Sequence, residues 1–250
     1  MKKLLLILLF FPLLSLGQIA PLDLENYEQY MPTSSCGEII HYSYYSVSFC
    51  DKYKLSEWTI HYLTPDRLGE KQKRTNDFRQ DPRLNGRDAN LSDFKRSGYD
   101  RGHLVPAADM AFDSTRISET FFMTNMSPQT AAFNRGGWKQ VESRIRKWVH
   151  EFDTVAIITG FVTGDYPIDI IDYIGDSVAV PKYFYKVFID IQRKRSLAFL
   201  MPNERITGNI YDYLITIKDL ENITGLDFFY KVDDMDEIIF EMNPKKEIIK

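Results

Sequence analysis

The chain has 250 residues, 44% hydrophobic and 26% charged, with 31 Lys and Arg against 35 Asp and Glu for a formal net charge of −4. A mildly acidic protein has no global field drawing it onto a polyanion, so any such site must be built from a local basic cluster. The length suits one sizeable core, and no internal repeat, low-complexity tract or Pro/Gly/Ser-rich linker divides it.

The first segment, MKKLLLILLFFPLLSLGQ, places Lys2 and Lys3 before an apolar run from Leu4 to Leu14 and a small-x-small Ser15-Leu16-Gly17. It reads as a secretory signal peptide over 1–17, cleaved near Gly17/Gln18, and it is too short for the ~20 apolar residues of a spanning helix. The expectation is an exported protein, secreted or periplasmic, without stable membrane association. Residues 18–38 read as an N-terminal extension, and 39–250 as one domain.

Cys36 and Cys50 flank IIHYSYYSVSF (Ile39 to Phe49), an alternating β-branched and aromatic run that predicts a strand. Eleven extended residues span ~36 Å against the ~6 Å Cα separation of a disulfide, so a bridge requires the chain to fold back or bulge. Further strands are predicted at Trp58 to Leu63, Thr120 to Thr124, Val155 to Thr159, Tyr183 to Ile189 and Ser196 to Leu200. From Gly137 to about Val149, Trp138, Val141, Ile145, Trp148 and Val149 recur at threes and fours, the spacing of an amphipathic helix. A second helix is expected around Asn209 to Leu220, with LENITGLDFFYKV ending the fold. Strands and helices mix without βαβ alternation, which points to an α+β fold with a mixed or antiparallel sheet core.

The histidines are His41, His61, His103 and His150. No H-E-x-x-H pair, phosphate-cradling G-x-x-x-x-G-K-[ST] loop or G-x-S-x-G elbow is present, which removes zinc proteases, P-loop enzymes and serine hydrolases. IGDSVAV has the Gly-Asp-Ser of some esterases but no histidine after His150 to serve it. His41 and His61 sit in strand-like runs as hydrogen-bonded structural residues, and His150 suits a helix C-terminus. His103 is left.

It lies in SGYDRGHLVPAADM, where Gly98 and Gly102 bracket Tyr99-Asp100-Arg101 and predict a turn. Downstream, ETFFMTNMSPQTAAFNRGGWKQVESRIRKW reads strand, polar turn, helix. The Gly136-Gly137 pair is unfavourable deep inside a helix, which sets Asn134 near the helix start. Glu142 and Arg146, at i and i+4, fall about 80° and 120° round the axis from Asn134. One helix edge thus offers an amide, a carboxylate and a guanidinium. Two basic clusters, EKQKRTNDFRQDPR and NRGGWKQVESRIRKW, are ordinary solvated surface unless they converge on a site.

DRGH, TNMSPQ and NRGGWKQVE together resemble the motif set of the DNA/RNA non-specific endonucleases, whose fold carries a ββα-metal (His-Me finger) unit. The likeness extends over most of Ile39 to Phe240, taking in KRTNDFRQDPRL and the later strands. It implies that His103 is the general base that activates water. Asn134 would be the direct protein ligand of one divalent metal, usually Mg²⁺ but also Mn²⁺ or another cation, with Glu142 acting on that metal through water. Arg74, Arg101 and Arg146 match the phosphate-contacting arginines, with Arg79 near Arg74, and Asn125 matches a site-lining asparagine. DNA and RNA are the implied partners, cut to leave 5′-phosphate and 3′-hydroxyl ends.

The chemistry of the residues agrees. Histidine near its ordinary pKa of ~6.5 accepts a proton at neutral pH; Mg²⁺ needs few protein ligands; arginine stays charged and binds phosphate bidentately. Contacts to phosphate carry no base information, so a small basic cleft binds nucleic acid with little sequence preference. Two alternatives remain open: a phosphodiesterase for small or non-nucleic-acid esters, and a non-catalytic polyanion-binding module.

Overall fold

The computed structural model describes residues 28–69, 71–162 and 170–241, so the leader-like segment and the cleavage expected near Gly17/Gln18 lie outside the described residues. In chain order the strands are β1 (Glu38–His41), β2 (Tyr45–Cys50), β3 (Leu55–Leu63), β4 (Tyr99–His103), β5 (Met126–Thr130), β6 (Val155–Phe161), β7 (Ile170–Ile174), β8 (Val178–Pro181), β9 (Tyr183–Asp190), β10 (Arg195–Pro202) and β11 (Leu214–Ile215). The helices are α1 (Ser114–Glu119), α2 (Lys139–Phe152), α3 (Ile217–Thr224) and α4 (Asp234–Glu241). Seven strands form one sheet in the order β1-β2-β3-β6-β9-β10-β11, and β4-β5 and β7-β8 form separate antiparallel ribbons. This is the expected α+β architecture.

Strand alternation divides the sheet between two cores. One face sets Val155, Ile157, Phe184, Phe188 and Phe199 against Trp138, Val141, Ile145, Trp148 and Val149, the stripe read from sequence. The other sets Trp58, Ile60, Ile158, Val187 and Ile189 against Ile217, Leu220 and Phe240 of α3 and α4. On the α2 side one row breaks the apolar pattern. Thr59 pairs with Thr159 and Thr159 with Lys186 across β3, β6 and β9, and all three are buried.

The run from Ile39 to Phe49 is a hairpin rather than one strand. It breaks at Tyr42-Ser43-Tyr44, where Tyr42 N–H donates to Tyr45 O (2.8 Å). The fold-back puts Glu38 opposite Phe49 and brings the Cα atoms of Cys36 and Cys50 to 5.4 Å, where they are disulfide-bonded. Closing a loop of this length is worth about 3 kcal/mol in the chain-entropy account. The same segment is latched by the buried Glu57 carboxylate, which accepts from the backbone N–H of Ser35, Cys36 and Gly37 and from the hydroxyls of Ser34 and Ser48.

Two other expectations shift. Thr120 to Thr124 is not a strand: Thr120 closes α1, and Met123–Asn125 is a 3-10 turn that leads into β5. Its apolar content reflects burial of Phe121 and Met123, which composition cannot separate from a core strand. Asn209 to Leu220 divides into a 3-10 turn at Ile210–Tyr213 with a capping box on Asn209, the short β11, and α3 capped by Thr216. The fold continues past LENITGLDFFYKV into α4.

Candidate active site

The DRGH tetrapeptide is strand rather than turn. β4 pairs antiparallel with β5, with Asp100 opposite Gln129 and His103 opposite Met126. A turn does precede it, at Gly98 (φ 86°). Gly102 serves another purpose: a Cβ there would lie 2.2 Å from the buried Gln129 side chain, so glycine leaves the room that side chain occupies. Period-two alternation then sends Arg101 and His103 to one face.

The chain leaves β5 for a helical run that begins at Ala131 and passes through a π-turn, Phe133–Trp138, before α2. Gly136 takes non-helical angles there (φ −105°, ψ −112°). Asn134 is therefore inside the first turns, not at the cap, and it sits on a local irregularity of a kind often found at functional positions.

β4, β5 and this helix form a ββα unit whose side chains converge. Arg74, Arg101, His103, Asn134, Glu142 and Arg146 all line one cleft of about 440 Å³, with Arg135 and Lys139 at its edge. The imidazole of His103 is 8% exposed and held edge-on by Phe78 (5.8 Å) and Phe121 (4.9 Å). Each of those rings carries an arginine: Arg101 lies 4.1 Å over Phe78 and Arg74 4.9 Å over Phe121. Burial first, and then these two guanidinium groups, pull the His103 pKa down to about 3, so the ring is neutral at physiological pH. Arg79 instead bonds Asp77 and Ser118 and stacks on Phe122, away from the cleft.

Asp100 orients the amide of Asn134. Its Oδ2 accepts from Asn134 Nδ2 (2.9 Å) while Arg135 grips both carboxylate oxygens (2.8 and 2.6 Å). Burial acts to raise the Asp100 pKa, but these hydrogen bonds outweigh it and hold the carboxyl below the usual range. With Nδ2 committed, Oδ1 is the atom Asn134 has left for a cation.

Asn125 departs from expectation. It is fully buried and outside the cleft: Oδ1 accepts from Val105 N–H (2.9 Å), and Nδ2 donates to Val105 O and Thr120 O (2.9 Å each). It pins the backbone just after His103 and is not among the residues that line the cleft.

Beneath the cleft lies a charged layer that sequence reading did not assign. Arg146 is held by Asp109 Oδ1 (2.8 Å), whose Oδ2 takes His61 Nε2 (3.0 Å). Burial works to raise the Asp109 pKa, yet the bonds from His61 and Arg146 keep it low, while burial draws the His61 pKa down. Lys186 donates to Thr159 Oγ1 (2.5 Å) and lies 4.7 Å over the Trp138 ring. Burial raises Glu142 and lowers Lys186, each opposed by the other's charge. The available sign was a lysine within YFYKVFID and a histidine within WTIHYL, polar groups at core positions that must find partners. Asp109→Asn is expected to cost about 2 kcal/mol by weakening two charge-assisted bonds, and to slow any cleavage through Arg146. Denaturant unfolding beside activity checks this, and a change within error in both would count against it.

A family model described as DNA/RNA non-specific endonuclease matches residues 23–235. Nuclease C1 of Cunninghamella echinulata var. echinulata is 30% identical over 226 residues, covering 84% of this chain and 89% of its own. The mitochondrial nuclease of Saccharomyces cerevisiae is 32% identical over 201 residues, covering 70% of this chain and 60% of its own. A solved structure described as the EndoG/EndoGI complex matches with a TM-score of 0.72 at 28% identity, over 80% of this chain and 89% of that one. The chain thus spans most of Nuclease C1 but under two thirds of the mitochondrial relative. The expectation of export is corrected here: the yeast relative and the EXOG nucleases of Mus musculus and Homo sapiens are named as mitochondrial, and the leader-like segment lies outside the described residues. Among the described residues no helix is long and apolar enough to cross a membrane.

Proposed function

This chain belongs to the DNA/RNA non-specific endonuclease family, and from that premise we propose that it hydrolyses internal phosphodiester bonds of DNA and RNA with little sequence preference. The observation that supports this most is the convergence, in one cleft, of a buried imidazole, three arginines and an amide–carboxylate oxygen pair.

The donor set fits a hard divalent cation. Asn134 offers an oriented Oδ1, and the Glu142 carboxylate, raised by burial, gains from a nearby positive charge. Two oxygen donors suit Mg²⁺, which keeps most of its waters. Among the described residues no group of three or more His, Cys, Asp or Glu stands ready to form an all-protein cage. Asn134 would hold the cation, with Glu142 acting through water, and when bound it offsets charge on the phosphate and the leaving oxygen.

The chain's own residues do the rest. Arg74, Arg101 and Arg146 bind the phosphate oxygens and orient the scissile bond, with no contact to a base. His103, fixed between Phe78 and Phe121, takes the proton from the attacking water as the phosphorus–oxygen bond forms and the bond to the 3′ oxygen breaks, and the departing 3′ oxygen takes up a proton from solvent water. The products carry 5′-phosphate and 3′-hydroxyl ends.

A digestion series tests this: plasmid DNA, structured RNA and a small chromogenic phosphodiester, each with Mg²⁺ and with excess chelator. Cleavage of both nucleic acids, lost on chelation, is the expected result. Cleavage of the small diester alone would make the protein a small-ester phosphodiesterase. Binding of DNA without nicking would make it a polyanion-binding module.

A further inference from the structure

Beside the cleft, on the next edge of α2, lies a second groove of about 450 Å³. Arg135, Lys139, Arg144 and Lys147 line it from the helix, Asn209 and Tyr211 face them from the segment before β11, and no carboxylate is among its lining residues. The strip is a local concentration of positive charge in a protein of net negative charge. Among the described residues Lys139, Arg144 and Lys147 form no ion pair; Arg144 instead lies 5.8 Å over the Tyr211 ring. Cations left without carboxylates at the surface are available to an external anion.

The groove is continuous with the cleft. Arg135 and Lys139 line both. From Lys139 to Lys147 the helix advances about 12 Å, a length over which a nucleic-acid backbone presents more than one phosphate. The spacing and charge suit an extended phosphodiester chain better than an isolated anion, which would need a closed cradle.

We propose that this groove is a second nucleic-acid subsite, holding the sugar–phosphate backbone beyond the nucleotides that flank the bond that is cut. The proposal rests on the nuclease reading, and it makes the enzyme length-sensitive. A long strand is held by cleft and groove together, whereas a tetranucleotide engages the cleft alone.

The test uses Arg144→Gln/Lys147→Gln, two positions outside the cleft, with Lys147→Glu as a second variant at an exposed position. Two substrates are compared: a 24-base-pair duplex and a tetranucleotide. For the duplex the double variant is expected to raise KM about tenfold and to reduce the salt slope of binding by about 2, one unit per lost phosphate contact. For the tetranucleotide kcat and KM stay at wild-type values. An unchanged KM and salt slope for the duplex in both variants overturns the subsite, as does an equal loss on both substrates. Failure of the wild-type protein to cleave either substrate would instead overturn the nuclease reading, so the two failures are distinct.

Discussion

His103→Ala is expected to slow cleavage of plasmid DNA and of RNA by about a thousandfold, the middle of the range for a lost general base, with only a small shift in unfolding temperature. Both parts follow from how the ring is held. It is clamped by Phe78 and Phe121, so its position for attack is set by packing. Its buried Nε2 has no hydrogen-bond partner among the described residues, so losing the ring removes packing but also removes an unsatisfied polar atom. Single-turnover kinetics with circular dichroism melts would decide it, and near-wild-type turnover in a folded variant would sink the base assignment.

The pH profile offers a sharper form. In the free enzyme burial and the charges of Arg74 and Arg101 hold His103 near pKa 3, so the acid limb of kcat/KM should fall well below the ordinary imidazole value of ~6.5. When phosphate sits on the two arginines their field is offset, the imidazole becomes more basic, and the acid limb of kcat should lie above that of kcat/KM. The same depression bears on stability. The unfolded chain takes up a proton at this histidine below ~6.5 that the folded one refuses until about 3, so stability falls as pH drops through that window, and His103→Ala should remove that share of acid sensitivity.

Asn134→Ala carries the second large effect: more than a hundredfold higher metal concentration for half-maximal cleavage, against ten- to a hundredfold for Asp100→Ala, which loosens the amide without deleting it. Metal titration by calorimetry gives a readout independent of turnover. Asn134→Asp supplies an oxygen yet should not rescue, because it puts a second carboxylate against Asp100 where an N–H now donates at 2.9 Å. Adding Asp100→Asn restores a donor facing an acceptor and should recover much of the affinity. If Asn134→Asp alone binds metal as well as wild type, Asp100 does not set the amide.

Much of this was legible in the chain because it rests on periodicity. The stripe from Trp138 to Val149 is the face that packs on the sheet, and Glu142 and Arg146 flank it in the cleft as their i, i+4 spacing required. Local composition misled where two conformations share it. Gly98 and Gly102 look like a pair of turn residues, yet one bends the chain and the other makes room for Gln129. Asn125 looks like a cleft residue, but its three side-chain bonds to backbone are invisible until the fold is known. Partnerships such as His61–Asp109–Arg146 join segments that only the tertiary fold brings together, and no spacing rule reaches across them.

The adjacency of β3 and β6 has a consequence for how such a site can change. Leu63 ends one strand directly opposite Val155, which begins the other, so everything between them, including His103, Asn134 and Glu142, is one excursion from a closed gap in the sheet. Extra length in such an excursion costs little, since each doubling of a loop adds only about 0.6 kcal/mol of closure entropy. The sheet acts as a fixed socket and the excursion as its insert. Exposed turns of the insert, such as the one at Asn85 and Gly86, can therefore lengthen or shorten while the strands beneath keep their register, whereas Arg74 and Phe78 are held by the cleft they line or brace.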